Sequence, residues 1–139
     1  MPITILIAEE QELLRETWKS LLSTVPRSQV LVTCYDGKTA VEKTKKLNPK
    51  IVIMDINLQG VNGIEATRLI RHSKNETKIL GCSLHGELLY ADKIIAERAI
   101  GYITKTATIE EMSIALLALD NNEYYLSEEI KPKKASLGN

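Results

Sequence analysis

Two kinds of apolar pattern alternate along this chain. Unbroken apolar runs occur at Ile3-Thr4-Ile5-Leu6-Ile7-Ala8, Val30-Leu31-Val32-Thr33-Cys34-Tyr35, Ile51-Val52-Ile53-Met54, Lys78-Ile79-Leu80-Gly81-Cys82-Ser83 and Gly101-Tyr102-Ile103-Thr104-Lys105. Short β-branched runs without alternation predict strands buried on both faces. Between them the apolar period lengthens to that of a helix. Leu13, Leu14, Thr17, Trp18, Leu21, Leu22 and Val25 form one stripe, with Arg15, Glu16, Lys19 and Ser20 between them. Ala40, Val41, Thr44 and Leu47 form a second, and Ile64, Thr67, Leu69 and Ile70 a third. Leu88, Leu89, Ile94, Ile95 and Ala99 give a short fourth stripe, and Ile109, Met112, Ala115, Leu116 and Leu119 a fifth.

The punctuation agrees with this division. Pro26 and Asn48-Pro49 stop the first two helices, and Asp36-Gly37 makes a turn. Thr108 and Glu111 have the spacing of a capping box for the last helix, which Asp120-Asn121-Asn122 ends. Gly81 inside its strand predicts a close backbone approach. The expected fold is α/β: a strand-helix unit repeated five times, a parallel sheet with right-handed crossovers, and helices on both faces. Function in such sheets belongs at the carboxyl edge of the strands.

Composition narrows the classes. A chain of 139 residues reads as one domain with an adequate core. Lys plus Arg and Asp plus Glu are 18 each, so there is no basic stripe to expect and no direct nucleic-acid binding by this domain. Cys34 and Cys82 lack metal or redox spacing and are expected as buried free thiols. No apolar run nears the ~20 residues of a membrane span, and no leader layout opens the chain, so a soluble cytoplasmic protein is expected. The polar, basic stretch 131–139 is expected as linker or disordered end.

The strand ends carry the chemistry. Glu9 and Glu10 follow the first strand, Asp55 the third, Ser83 the fourth and Lys105 the fifth. Carboxylates crowded at the mouth of one crevice call for a cation, and Mg²⁺ suits oxygen ligands of this kind. A lysine and a hydroxyl opposite suit the oxygens of a phosphoryl group. The set reads as a phosphoryl-transfer site with a carboxylate nucleophile. Each member has an ordinary alternative. Glu9-Glu10 can cap a helix, Asp55 and Ser83 can serve turns, and Lys105 can be a solvated lysine. Agreement across the whole fold favours the joint reading.

These residues resemble the receiver domain of bacterial two-component response regulators, over roughly residues 3–120. The resemblance implies a flavodoxin-like doubly wound sheet of order 2-1-3-4-5. It implies that Asp55 is the phosphoacceptor and that Glu10, Asp55 and the backbone carbonyl of Asn57 hold Mg²⁺, with Glu9 behind them. It further implies that Ser83 and Lys105 meet the phosphoryl group, that Tyr102 moves between exposed and buried positions with Ser83, and that Gly63 is the turn glycine before the third helix. Residues 99–108 and 122–130 look like the LuxR/NarL-type subgroup, which carries a helix-turn-helix output domain. The implied organisation is a receiver over 1–122 and a linker over 123–139 toward an absent output domain. A sensor histidine kinase is the implied partner, with a homodimer on activation, DNA contact only through the missing domain, and no membrane. The domain is implied not to be an enzyme beyond slow self-catalysed phosphotransfer or dephosphorylation.

Three positions depart from the family pattern. Glu10 stands where Asp is usual, Gln59 where Pro is usual, and Leu84 is bulkier than the usual residue after Ser83. Glu10 is one methylene longer than Asp, so it must fold back, act through water or shift the ion. The alternative function is therefore a phosphorylation-independent pseudo-receiver that acts as an interaction module. A flavodoxin-like enzyme or nucleotide binder is disfavoured, because no glycine-rich phosphate loop follows the first strand. Two local expectations complete the reading: Asp55 lies at an open rim, and Lys105 gains its partner chiefly in the modified state.

Overall fold

The computed structural model describes residues 1–73, 75–84 and 88–130. The chain runs β1 (Ile3–Ala8), α1 (Glu12–Leu22), β2 (Ser28–Cys34), α2 (Gly37–Leu47), β3 (Ile51–Asp55), α3 (Gly63–His72), β4 (Lys78–Ser83), α4 (Leu88–Ala96), β5 (Gly101–Thr104), α5 (Ile109–Asp120) and β6 (Tyr125–Leu126). All pairings are parallel, and the sheet order is β2-β1-β3-β4-β5-β6. The α/β architecture and the order of the first five strands are those expected. The sixth strand is an addition.

Alternation along the strands divides the core between two faces. Ile3, Ile5, Ile7, Ile51, Ile53, Leu80, Cys82 and Ile103 pack with Trp18 and Leu22 of α1 and with Met112, Ala115, Leu116 and Leu119 of α5. Leu6, Ala8, Val52, Met54, Ile79 and Tyr102 pack on the other face with α2, α3 and α4. Both faces of β1, β3, β4 and β5 are covered, which is why they read as unbroken apolar runs, whereas β2 was expected to be buried on both faces and instead lies at the sheet edge with Leu31 exposed. Cys34 and Cys82 are free and buried. Burial, followed by Asp36, pushes the Cys34 thiol up to about 11, and burial also raises Cys82, so neither is a poised thiolate.

Helix starts follow local chemistry. Asp36 does more than turn the chain: its side chain accepts from Thr39 N at 2.8 Å and caps α2. Asn62 caps α3 through Glu65 N, and Thr108 caps α5 through Glu111 N. Glu111 itself turns elsewhere. Its carboxylate accepts from Tyr125 Oη at 2.7 Å and from Glu128 N at 2.9 Å. The residue expected to complete the capping box instead ties α5 to the segment after it.

That segment was expected as linker from residue 123. Tyr125 and Ile130 are buried, and Ser127 N donates to Tyr102 O at 2.8 Å. Packing thus continues past the boundary expected at residue 122. Residues 131–139 lie outside the described residues.

Two glycines hold elements close. Gly81 lies under Ile94 of α4, where a Cβ would fall 2.7 Å from Ile94 Cδ1. At Gly63 a Cβ would fall 2.1 Å from the carbonyl oxygen of Asp55. The obstacle there is backbone, and it is the backbone that carries the candidate nucleophile. Gly63→Ala is expected to destabilise the chain by roughly 3 kcal/mol, the upper range for overpacking. Urea denaturation measures this, and an unchanged midpoint would show that the β3–α3 loop yields freely.

Candidate functional site

The carboxyl edge is assembled by strand parity. Glu9 continues the alternation of Ile3, Ile5 and Ile7, and Asp55 that of Ile51 and Ile53, all on the α1/α5 side of the sheet. Lys105 stands two residues after Ile103 of that same face. β1 and β3 are adjacent, and β5 lies one strand beyond β4. The three side chains therefore meet although they are far apart in sequence.

Lys105 Nζ lies 2.9 Å from Glu9 Oε2 and 3.0 Å from Asp55 Oδ2. Asp55 is fully buried, at 0 % exposure. Its Oδ1 accepts from Asn57 N at 3.0 Å and its Oδ2 from Glu10 N at 3.2 Å. Asp55 thus sits on the floor of the crevice, beneath its neighbours' backbone, and not at an open rim. Glu9 Oε2 also accepts from Gln11 N at 2.9 Å, just ahead of α1. One carboxylate oxygen of Glu9 thus braces the turn ahead of α1 and pairs with Lys105.

Burial raises the Glu9 carboxyl above its usual range, and nearby Asp55 adds to this, while the Gln11 amide and Lys105 oppose it. Burial alone would lower Lys105, but its bonds and charges toward Glu9 and Asp55 outweigh that and raise it. Lys105 is ion-paired before any modification, contrary to the expectation of a conditional partner. The physical reason is simple: two carboxylates buried together need a cation at once.

Ser83 stands on the other face of β4, the side of Ile79 and Gly81. Its Oγ hydrogen-bonds Tyr102 Oη, and Lys105 N donates to Ser83 O at 2.8 Å. Tyr102 is buried at 0 % exposure. The hydroxyl pair thus adjoins the acid-lysine cluster through the backbone of residue 105. Leu84 is half exposed beside it.

The donor set fits a divalent cation. Three carboxylates, Glu9, Glu10 and Asp55, against the Lys105 ammonium and the Arg15 guanidinium leave one net negative charge around this edge. Among the described residues no three His, Cys, Asp or Glu side chains gather as a metal cage. Mg²⁺ does not ask for one, since a carboxylate or two, a carbonyl and waters suffice. A separate cavity of about 500 Å³, lined by Pro49, Thr77 and Asp120 among others, opens at the opposite edge of the sheet and lies away from these groups.

Two contributors are missing from the sequence reading. Arg15 has only a place between the apolar positions of α1 in the sequence, yet its Nη1 donates to Glu9 O at 2.9 Å and to Glu10 O at 3.4 Å. Gln59, noted only as a departure, donates from Nε2 to Glu10 Oε1 at 3.2 Å. Neither contact has a periodic signal. The only hint lay in Glu10 and Gln59 departing together.

The ion pairs make stability depend on alkaline pH. Lys105 is raised on folding, so its contribution is complete below its unfolded value near 10.5 and is lost as pH rises through the higher folded value. In Lys105→Met this alkaline step should disappear. The variant should also lose roughly 3 kcal/mol at neutral pH, because two carboxylates are left buried without their cation. Denaturant melts at pH 7 and across the range above 10 check both; a neutral-pH loss near zero would mean the pairs contribute nothing net.

Residues 5–117 match the response regulator receiver domain family. The chain is 31% identical over 128 residues to the transcriptional regulatory protein DegU of Brevibacillus brevis, covering 92% of this chain and 54% of that one. It is 27% identical over 133 residues to the response regulator GacA of Pseudomonas viridiflava, covering 96% and 62%. The chain thus spans little more than half the length of these curated relatives. The crystal structure of a two-component response regulator of the LuxR family from Aurantimonas sp. SI85-9A1 superposes with a TM-score of 0.93 at 29% identity, covering 98% of this chain and 97% of that one. The receiver domain of the response regulator NarL from Mycobacterium tuberculosis shares the fold, with a TM-score of 0.84 at 23% identity. With the acidic floor, its lysine and the hydroxyl pair in place on this sheet, the chain belongs to the response regulator receiver domain family.

Proposed function

We propose that this receiver is switched by phosphorylation of Asp55 from a sensor histidine kinase, and that it controls a transcriptional output domain. The observation that carries this reading is the buried carboxylate of Asp55 with Lys105 3.0 Å away and Glu9 on the far side of the ammonium. An Asp55 oxygen forms the new O–P bond as the P–N bond of the donor's phosphohistidine breaks; the departing nitrogen keeps the electron pair and takes a proton from water, leaving an acyl phosphate and a neutral imidazole. Lys105 moves from Asp55 to a phosphoryl oxygen, and Ser83 turns from Tyr102 to another. Glu10, Asp55 and the Asn57 carbonyl would hold Mg²⁺, with Glu9 behind them. Bound there, the ion offsets charge on the phosphoryl oxygens. The domain's own chemistry is limited to slow phosphotransfer and dephosphorylation.

The output is a population shift between two states of the Ser83–Tyr102 pair. Exposed apolar residues on the helices, Leu13, Leu89, Ile114 and Leu117, supply a surface for homodimerisation in the modified state. The relatives' names, a transcriptional regulatory protein and a response regulator, support a transcriptional output, and this chain spans 54% and 62% of their lengths. A second reading, the phosphorylation-independent interaction module, is favoured by the complete burial of Asp55 and by the bonds already made to both its oxygens.

Intact mass after incubation with acetyl phosphate and Mg²⁺ separates the two. One added phosphoryl group is expected on the native chain and none on Asp55→Asn. The Asn variant should also melt higher, since one of two crowded carboxylates is gone while the Glu9–Lys105 pair remains. A native chain that stays unmodified while its fold is intact would favour the interaction module.

A further inference from the structure

The loop between β1 and α1 is fixed along its backbone. Glu9 N donates to Cys34 O at 3.0 Å, and Glu10 N donates to Asp55 Oδ2 at 3.2 Å. Arg15 Nη1 takes both carbonyls of the acidic pair, and its guanidinium lies 5.6 Å from the centre of the Tyr35 ring. With the backbone held, what remains to be set at Glu10 is its side chain. Three torsions separate that carboxylate from its Cα, and a ligand that must be ordered on binding loses affinity for it.

Gln59 supplies the missing constraint. Its Nε2 donates to Glu10 Oε1 at 3.2 Å. Its own backbone is braced by a bridge to Asp36 and by Gly37 N, which reaches Gln59 O at 3.5 Å. The β2–α2 turn sits so close to this loop that a Cβ on Gly37 would fall 1.7 Å from Val61 O. The donor is therefore an amide on a supported backbone. Its neutrality matters as well. A lysine or arginine there would cancel the charge that the cation needs, whereas an amide orders Glu10 and leaves its charge in place.

We propose that Gln59 is a positioning residue for the divalent cation of this site, holding one carboxylate oxygen of Glu10 so that the other is presented to the ion. The proposal rests on the reading of Glu10 as a metal ligand. Glu10 and Gln59 then form a matched pair, in which the longer acid is tolerated because a partner takes up its extra reach. An Asp at position 10 would end ~1.5 Å short of that partner and lose the contact.

A double-mutant cycle on the full chain tests this with no phosphoryl donor present. Mg²⁺ is titrated calorimetrically into the native chain, Gln59→Ala, Glu10→Asp and the double variant. Gln59→Ala should weaken Mg²⁺ about fivefold, the size of one net hydrogen bond, and by less than about twofold when residue 10 is Asp. Glu10→Asp alone should bind more tightly than the native chain, because the shorter acid needs no help to reach the ion. Metal-free melting temperatures should be the same with and without Gln59→Ala, a readout that a merely structural role would move. Equal losses in both backgrounds, or no loss in either, would overturn the proposal and leave the metal reading standing if Glu10→Asp still binds. Absence of Mg²⁺ binding in all four proteins would remove the metal reading and this role together.

Discussion

One ammonium shared between two buried carboxylates is the constraint on which this carboxyl edge depends. Glu9 and Asp55 are 3% and 0% exposed. Like charges brought that deep would repel and would each lose their hydration. Lys105 resolves both problems, but only if three strands deliver their ends to one point within hydrogen-bond reach. A slip of one residue in any of them would turn the group to the opposite face. The register of β1, β3 and β5 is therefore set by apolar alternation below the site and is required by charge at the site.

The second half of the edge is coupled to the first without sharing its face. Ser83 and Tyr102 lie toward α4, whereas the ion pairs lie toward α1 and α5. The link is short and runs through backbone hydrogen bonds. Lys105 N bonds Ser83 O, and Tyr102 O accepts from Ser127 N, beside β6. A change in what Ser83 bonds thus reaches a residue that anchors the segment after α5. Glu111 holds the same segment from the helix side through Tyr125 and Glu128. The chain's exit from the domain is fastened at the elements that a rearrangement of Tyr102 would disturb.

Most of the fold was legible because it rests on burial. Runs such as Ile3–Ala8 and Ile51–Met54 leave no polar face, and only a sheet covered twice accepts them. The strand ends were legible for the same reason, since a polar residue ending such a run must emerge at the edge. What escaped the reading depends on directions and not on patterns. β6 has only two residues, too few for a period. Glu111 has the right spacing for a capping box, and nothing local shows that Tyr125 and Glu128 N compete for it. Arg15 has the spacing of a solvated position, and its guanidinium instead reaches back to carbonyls five and six residues earlier. Burial of Asp55 was missed because the groups that cover it, Glu10 N, Asn57 N and Lys105, come from three separate segments.

The charge count at this edge bears on why a metal belongs to the proposed chemistry at all. In the unmodified state Lys105 already serves two carboxylates, and one net negative charge remains at the edge once Glu10 and Arg15 are included. Turning the Asp55 carboxylate into an acyl phosphate adds roughly one more negative charge near neutral pH. Lys105 cannot be gained a second time. When it moves to the phosphoryl group, Glu9 is left with less of it, in a place where burial already raises the acid's affinity for a proton. The ion pair that stabilises the resting site is therefore too small to stabilise the modified one. On the proposed reading a divalent cation held by Glu10 would close that gap, and the orientation of Glu10 would then be the property of the site on which the modified state most depends.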